Sequence, residues 1–398
     1  MDALISFSDA YNLVINNSAI HHTLALPLRQ AEGHVLAADV YAPFDFPSFR
    51  QSAVDGYAFS FNAFKPGTAL KVLPAVIAAG NSHLEKIDEG YAMRIFTGAA
   101  VPDGTDTVVM QEQTKTDGDE LFLLNNEISQ GLNVRPRASQ TRQGDRVLAK
   151  GDVLTPAGLA LLAGFGLQEI PVYRKPIVSL LISGNELLQA GDSYEPGKIY
   201  ESNSYALQAA LHDIQIEVNT TEYVSDDLEK MKQAVDRLLN ACDILLACGG
   251  ISVGDFDFTS EALKQNSVEK IFHGVKQKPG KPLWFGKRQD KIVFGLPGNP
   301  GSVLSCFYFY VLPAVRNFCN HPQSDLEKRK ALVINGFAKK QGLTHFLKVK
   351  SENNTAEILE HQESYKMNGF ARANALLIMT ENETQINAGD LKYIHLLP

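Results

Sequence analysis

The chain has 398 residues, 44% of them apolar and 21% charged, which is too long for one ordinary domain and too apolar for disorder, so two to four domains are expected. Its formal net charge of −8 excludes a global basic field for nucleic acid or an anionic membrane. An anionic ligand has to be met instead by local lysines, arginines or backbone amides.

Residues 1–41 read as a helix, with Phe7, Tyr11, Val14 and Ile15 on one face, followed by a short connection. The opening stretch MDALISFSDAYNLV has no basic segment leading into an apolar core, so no signal peptide is expected. From YAPFDFPSF onward the texture changes. Residues 42–142 carry Gly, Pro and short β-branched runs such as DTVVM, with frequent turn signals, which predicts a small β domain. Residues 143–173 change again, and TPAGLALLAGFG reads as a helix with Thr155 as cap and Pro156 at its first position.

From Lys175 a new rhythm begins. IVSLLIS, DILLACGG and IVFGLPG are short apolar runs, each ending in a glycine loop. Helical patterns lie between or after them, at 203–213 and at 226–239. In the second, Asp226 and Glu229 have capping-box spacing. Strands alternating with helices imply crossover connections and a mostly parallel sheet over residues 176–320. Beyond residue 323 the rhythm is lost. RKALVING, HFLKVKS, TAEILE, ALLIMTEN and LKYIHLL read as strands of a small β barrel or sandwich. The longest apolar run, Val303 to Val315, falls short of the ~20 residues that cross a bilayer, so a soluble cytoplasmic protein is expected. Cys242, Cys248, Cys306 and Cys319 show no C-x-x-C spacing and read as buried reduced thiols.

In an open parallel sheet, ligands sit beyond the carboxyl ends of the strands. Three loops stand there: Ser183-Gly-Asn-Glu186, Gly249 to Asp257, and Gly295 to Ser302. Each taken alone is an ordinary turn; all three at one edge make a site. Gly249 and Gly250 leave room for a close approach, and Ser183, Ser252 and Ser302 supply hydroxyls. In G-L-P-G-N-P-G-S, running through Pro297, Gly298, Asn299 and Pro300, Asn299 suits a helix cap and Pro300 the first turn, so amide donors should point out of the helix start toward an anion. VKQKPGKPLWFG puts Lys276, Lys278 and Lys281 on a proline-fixed loop. A lysine run is ordinarily a solvated face, but in an acidic protein this one reads as an anion clamp.

Glu186, Asp226, Asp255 and Asp257 fall at or just after strand ends. Oxygen ligands beside a phosphate suit magnesium. Asp226 has a competing role as helix cap and Asp255 as a solvated turn residue, which leaves Glu186 and Asp257 as the stronger pair. Gly250-Ile-Ser252-Val-Gly254 matches the G-x-S-x-G elbow of α/β hydrolases, with His273, His321 and His345 downstream. The helical pattern starts near Thr259 instead of directly after Ser252, so a serine hydrolase is a remote alternative. Gly274 to Lys281 fails as a P-loop, because five residues separate its glycines and Pro282 stands where Ser or Thr is needed.

Six ordered stretches, PSFRQSAVDGYAF, RIFTGAAVPDGTDTVVMQEQT, ISGNEL, GGISVGDFDF, KPGKPLWFG and GLPGNPGSVLSCFYF, together resemble the molybdopterin molybdenumtransferase family, which includes bacterial MoeA and the C-terminal domain of gephyrin. The resemblance runs in order from about residue 5 to 320 and more weakly beyond. It implies insertion of molybdate into adenylylated molybdopterin with release of AMP, with magnesium as cofactor. It also implies a multidomain α/β plus β fold: an elongated linking domain from 1–41 and 143–173, an inserted β domain at 42–142, a molybdopterin-binding α/β domain at 174–322 and a C-terminal β barrel at 323–398. It further implies a homodimer whose cleft is lined by the α/β domain of one chain and the inserted region of the other. A molybdopterin adenylyltransferase and cofactor-accepting proteins are the partners it suggests.

By position, the resemblance places Asp55 (in D-G-Y-A) and Thr97 (in T-G-A) at the reacting centre. It assigns Glu186, Asp226 and Asp257 to the metal, and Lys276, Lys278, Lys281 and the loop from Pro297 to Ser302 to the ligand. Read alone, Asp55 is a turn residue before Gly56 and Thr97 a cap or turn. The chain departs from the family pattern at Gln140, where the family has an aspartate, and at Glu363, where a glycine precedes Ser364 and where a carboxylate should repel an oxyanion. Both departures favour a second reading, a pterin-binding paralogue that carries or scaffolds.

Overall fold

Phe7–Ser18 forms helix α1, started by Ser6, whose Oγ accepts the Asp9 amide at 3.0 Å. In the computed structural model, which describes residues 3–81, 85–124, 127–251 and 258–398, the chain divides into two units. Ala38–Lys150 with Pro156–Glu169 make the smaller unit, and the remaining residues make the larger.

The smaller unit is built on strands β1 (Gly56–Phe59), β2 (Leu70–Ile77), β3 (Tyr91–Ile95), β4 (Thr107–Met110), β5 (Thr114–Asp117) and β6 (Glu120–Leu123), in the order β4-β1-β3-β2-β6-β5. Side-chain alternation sends Ala58, Ile95 and Val108 to one core and Phe59, Ala92 and Val109 to the other, so both faces of the sheet are covered. Helix α2 (Pro156–Gly164) has proline at its first position, as expected.

In the larger unit the glycine-ended runs become β7 (Val178–Ser183), β9 (Ile244–Cys248) and β12 (Lys291–Leu296), with β8 (Val218–Val224), β10 (Glu269–His273) and β11 (Trp284–Arg288) completing one sheet. The order is β8-β7-β9-β12-β11-β10. The pairings among β8, β7, β9 and β12 are parallel, while β11 and β10 run antiparallel at one edge. That edge escapes a reading of the sequence because PLWFG follows directly on the proline-rich lysine segment and looks like part of it.

Every residue of β7 and β9 is buried, since helices cover both faces. Helices α4 (Leu228–Ala241) and α5 (Phe258–Gln265) pack Met231, Val235, Leu238 and Leu263 on Leu181 and Leu245. On the opposite face lie α1, helix α3 (Asn203–His212) and a long helix that starts as α6 (Pro300–Cys306), passes through a π-turn at Phe307–Val311 and ends as α7 (Leu312–Phe318). The expected cap of α4 is corrected by one residue. Asp227, not Asp226, accepts the Lys230 amide at 3.0 Å, and Asp226 is left for other work.

The C-terminal strands are β13 (Lys328–Val333), β14 (Thr344–Glu352), β15 (Thr355–Ile358), β16 (Ala375–Met379) and β17 (Leu391–Leu396). They pair in the order β14-β15-β13-β17-β16, and β16 returns to β14, so the barrel closes around Val333, Leu347, Val349, Leu377 and Ile394. A short helix, α8 (Met367–Arg372), precedes β16. Gln277–Lys278 adds to β14 as a parallel strand. All four cysteines are buried free thiols, as expected.

Candidate functional site

A cleft of about 780 Å³ opens beyond the carboxyl ends of β7, β9 and β12. Because these strands are parallel neighbours, their three terminal loops meet at one edge.

The glycines serve the protein's own packing first. Gly249 has φ +90°, and a Cβ there would lie 2.4 Å from the Ser183 carbonyl oxygen. Gly250 has φ +62°, and a Cβ would lie 2.5 Å from Thr259 Oγ1. The bare backbone therefore lets the β9 loop lie on the end of β7. Both glycines and Ser183 line the cleft.

The loop after β7 is tied to that after β8. The Asn185 amide donates to Asp226 Oδ2 at 3.2 Å, and the Asp226 amide donates to Asn185 Oδ1 at 3.1 Å. This reciprocal pair brings Asp226 to the cleft beside Glu186, which is exposed. No group of three or more His, Cys, Asp or Glu suited to a metal occurs among the described residues. Two acids from neighbouring loops nevertheless fit magnesium, which takes one or two carboxylates and completes its shell with water and phosphate oxygens. Ser252, Asp255 and Asp257 lie outside the described residues.

Lys278 and Lys281 line the cleft, whereas Lys276, though exposed, does not. The turn between them is anchored from below by fully buried Gln277. Its Nε2 donates to the Gly280 carbonyl at 3.0 Å, and its Oε1 accepts Tyr310 Oη. Gly280, at φ +87°, has no space for a Cβ, which would meet Cys306 Sγ at 2.6 Å.

Pro297, Gly298, Asn299, Pro300 and Ser302 also line the cleft. Asn299 stands at the cap position, but its Nδ2 donates to Ser364 Oγ at 3.0 Å and makes no bond to the helix. The expectation of outward amide donors needs correcting here. The Gly301 amide is taken by the Ser364 carbonyl at 2.8 Å and the Ser302 amide by the Asn299 carbonyl at 2.9 Å.

Among the residues lining the cleft, Glu201, Asn203 and Ser364 were given no site role by sequence reasoning. Glu201 is buried and accepts the Ser204 amide at 2.8 Å and Ser204 Oγ at 2.5 Å, holding the first turn of α3. Its spacing from Ser204, an acid ahead of an apolar stripe, is the signal that was available. Asn203 donates to the Gly298 carbonyl at 2.8 Å, and its buried Oδ1 has no partner. Ser364 comes from the barrel. Glu363 does not line the cleft, and its carboxylate is paired with Lys366 at 2.8 Å. That hydrogen bond keeps the carboxyl below its usual range, so the expected repulsion of an oxyanion is locally cancelled.

In the smaller unit, Asp55 and Thr97 form one constellation. Asp55 Oδ1 accepts both the Thr97 amide and Thr97 Oγ1, each at 2.7 Å. Those two bonds, helped by Arg94, hold the exposed Asp55 carboxyl below its usual range. Gln140 is exposed, and its amide nitrogen donates to the Phe46 carbonyl at 3.0 Å.

Residues 5–166 match the family model of the MoeA N-terminal region (domain I and II), and residues 179–317 match that of a probable molybdopterin binding domain. A molybdopterin molybdenumtransferase of Staphylococcus aureus is 30% identical over 394 residues, covering 97% of this chain and 94% of the relative. A crystal structure of the molybdopterin biosynthesis MoeA protein from Pyrococcus horikoshii superposes with a TM-score of 0.84 at 27% identity, covering 100% of both chains. A second MoeA structure from Pyrococcus horikoshii OT3 gives a TM-score of 0.78 at 30% identity, covering 99% of this chain and 100% of the other.

Proposed function

The chain belongs to the molybdopterin molybdenumtransferase family, and on that premise we propose that it inserts molybdate into adenylylated molybdopterin, releasing AMP and leaving molybdenum cofactor. One observation carries this reading: a cleft at the carboxyl edge of a parallel sheet draws lysines, acids and a fixed helix start from separate loops. An adenylylated pterin pyrophosphate is strongly anionic and molybdate is a dianion, so the two repel until charge is cancelled. Lys278 and Lys281 cancel it locally within a molecule of net charge −8.

Glu186 and Asp226 are the residues of the described cleft that would hold magnesium, with Asp257 as a further ligand. A bound magnesium polarises the phosphoanhydride. Gly249, Gly250, Ser183, Ser252, the loop Pro297–Ser302 and the lysines Lys276, Lys278 and Lys281 are proposed for the ligand. For Lys276, which does not line the cleft, the assignment rests on the sequence reading and the resemblance. Asp55 and Thr97 are proposed to face the reacting centre, in a homodimer of the family type where the inserted region comes from the second copy. The four-part domain plan is proposed with it, as are a cytoplasmic location and exchange of pterin with an adenylyltransferase and cofactor-accepting proteins. Among the described residues no helix is long and apolar enough to cross a membrane.

The test is AMP release from adenylylated molybdopterin with and without molybdate. Release that depends on molybdate supports the transferase. Binding without release supports the carrier, a reading favoured by the uncharged amide of Gln140 where the family has an aspartate. The serine hydrolase stays the remote alternative: an elbow needs a helix directly after its serine, and the helical pattern of the sequence starts near Thr259 instead.

A further inference from the structure

Lys348 in β14 is 1% exposed, although its side chain carries an ammonium group. Among the described residues no carboxylate lies within ion-pair distance of it. Nζ donates to two main-chain carbonyls instead, that of His361 at 2.6 Å and that of Glu363 at 3.2 Å. The Phe370 ring lies 5.4 Å from it, and a Cβ on Gly369 would come within 3.1 Å of Lys348 Cδ, so the stem is closely packed under α8.

Those carbonyls belong to the turn that leads into Ser364. His361 holds a left-handed backbone there, φ +63°. Gln362 doubles the attachment. Its Nε2 donates to the Lys348 carbonyl at 2.9 Å, and its Oε1 accepts the Lys348 amide at 2.9 Å. Beyond the turn, Ser364 accepts from Asn299 and Gly301 at the start of α6. A buried charge with only neutral acceptors is costly, and it persists here because it fixes a strained turn.

We propose that Lys348 is a positioning residue: its buried ammonium holds the 361–364 turn so that Ser364 closes the cleft against α6, and loss of that charge loosens the wall. This rests on the cleft being the substrate site. Burial draws the ammonium down to about 8, Glu363 pulls it back up and Lys366 pushes it further down. Glu363 and Lys366, themselves ion-paired on the turn, are the charged groups that act on it. Raising the pH through 8 leaves two N–H donors but removes the charge that strengthens them.

The experiment compares the full chain with Lys348→Arg and Lys348→Met. Hydrogen exchange of segment 359–366, corrected for its intrinsic dependence on pH, is followed from pH 7 to pH 9.5 alongside molybdate-dependent AMP release. In the wild type the segment should exchange at least about tenfold faster above pH 8, with a matching fall in kcat/KM. Lys348→Arg should keep the segment protected and remove the alkaline fall. Lys348→Met, confirmed folded by its unfolding midpoint, should exchange fast at every pH. A wild-type segment equally protected at pH 7 and 9.5, or an arginine variant that still loosens near 8, overturns the proposal. Loosening near 8 in a chain that releases no AMP would instead sink the transferase reading and leave the role of Lys348 standing.

Discussion

Asp243 sits at the head of β9, buried among cations. It takes Arg174 through two bonds of 2.7 and 3.0 Å, the Ile177 amide at 2.7 Å, and Lys291 at 3.7 Å. Burial alone would raise its pKa, but these partners outweigh it and hold the carboxyl below the usual range. A depressed carboxyl contributes stability that is complete above its unfolded pKa and is lost as pH falls through the folded one. Asp243→Asn should therefore cost about 3 kcal/mol at pH 7, by leaving Arg174 and Lys291 facing a neutral group in a half-buried place. Urea unfolding at pH 7 and in acid checks this, and the difference between variant and wild type should shrink as the wild-type carboxyl protonates.

At the scale of elements, the start of α4 separates two neighbouring aspartates by role. Asp227→Ala should cost about 1 kcal/mol through loss of the cap, whereas Asp226→Ala should spare the helix and weaken magnesium binding, read by thermal denaturation and by metal titration. The sequence pattern pointed to Asp226 as the cap, through its capping-box spacing from Glu229. Only the reciprocal bond between Asn185 and Asp226, across strands distant in sequence, separates the two aspartates. Legibility elsewhere follows the same division. The strands ending in Ser183, Cys248 and Leu296 were readable because burial on both faces demands unbroken apolar runs. The antiparallel edge at Trp284–Arg288 was not, since it follows directly on a proline-rich lysine segment that mimics a loop. Ser364 reaches the cleft only through tertiary packing of the barrel, whereas Glu201 leaves a faint local trace in its spacing from Ser204. The barrel gives a further prediction. Burial, aided by neighbouring lysines, holds both His345 and His395 down to about 4, so neither is charged at neutral pH. The unfolded chain binds those protons first, and stability should fall as pH drops from the ordinary histidine range toward 4. His395→Gln should flatten that part of the urea-midpoint profile.

For the whole molecule, a cleft that gathers lysines within a chain of net charge −8 sets up a short-range field. At physiological ionic strength charges are screened beyond ~8 Å, so attraction is confined to the last steps of entry. Lys278→Met and Lys281→Met should each raise KM for the adenylylated pterin by roughly tenfold, since a charge-assisted bond contributes about 1.5–3 kcal/mol. The salt dependence of that KM should become shallower in both. Assays over a range of potassium chloride concentrations check it, and a slope unchanged in either variant would remove that lysine from the site.

The strand addition of Gln277–Lys278 to β14 bears on how this protein can be dissected. Thr344 donates its amide to the Lys276 carbonyl at 2.9 Å, so the segment that presents Lys278 is hydrogen-bonded to the barrel as well as to its own domain. A fragment ending near residue 322 would carry every sequence motif of the pterin fold and still lose the rail along which its cationic finger is aligned. Expressed alone, it would bare an unpaired edge prone to self-association. Any effort to miniaturise the fold or graft it into another host protein has to bring along a surrogate for that missing strand.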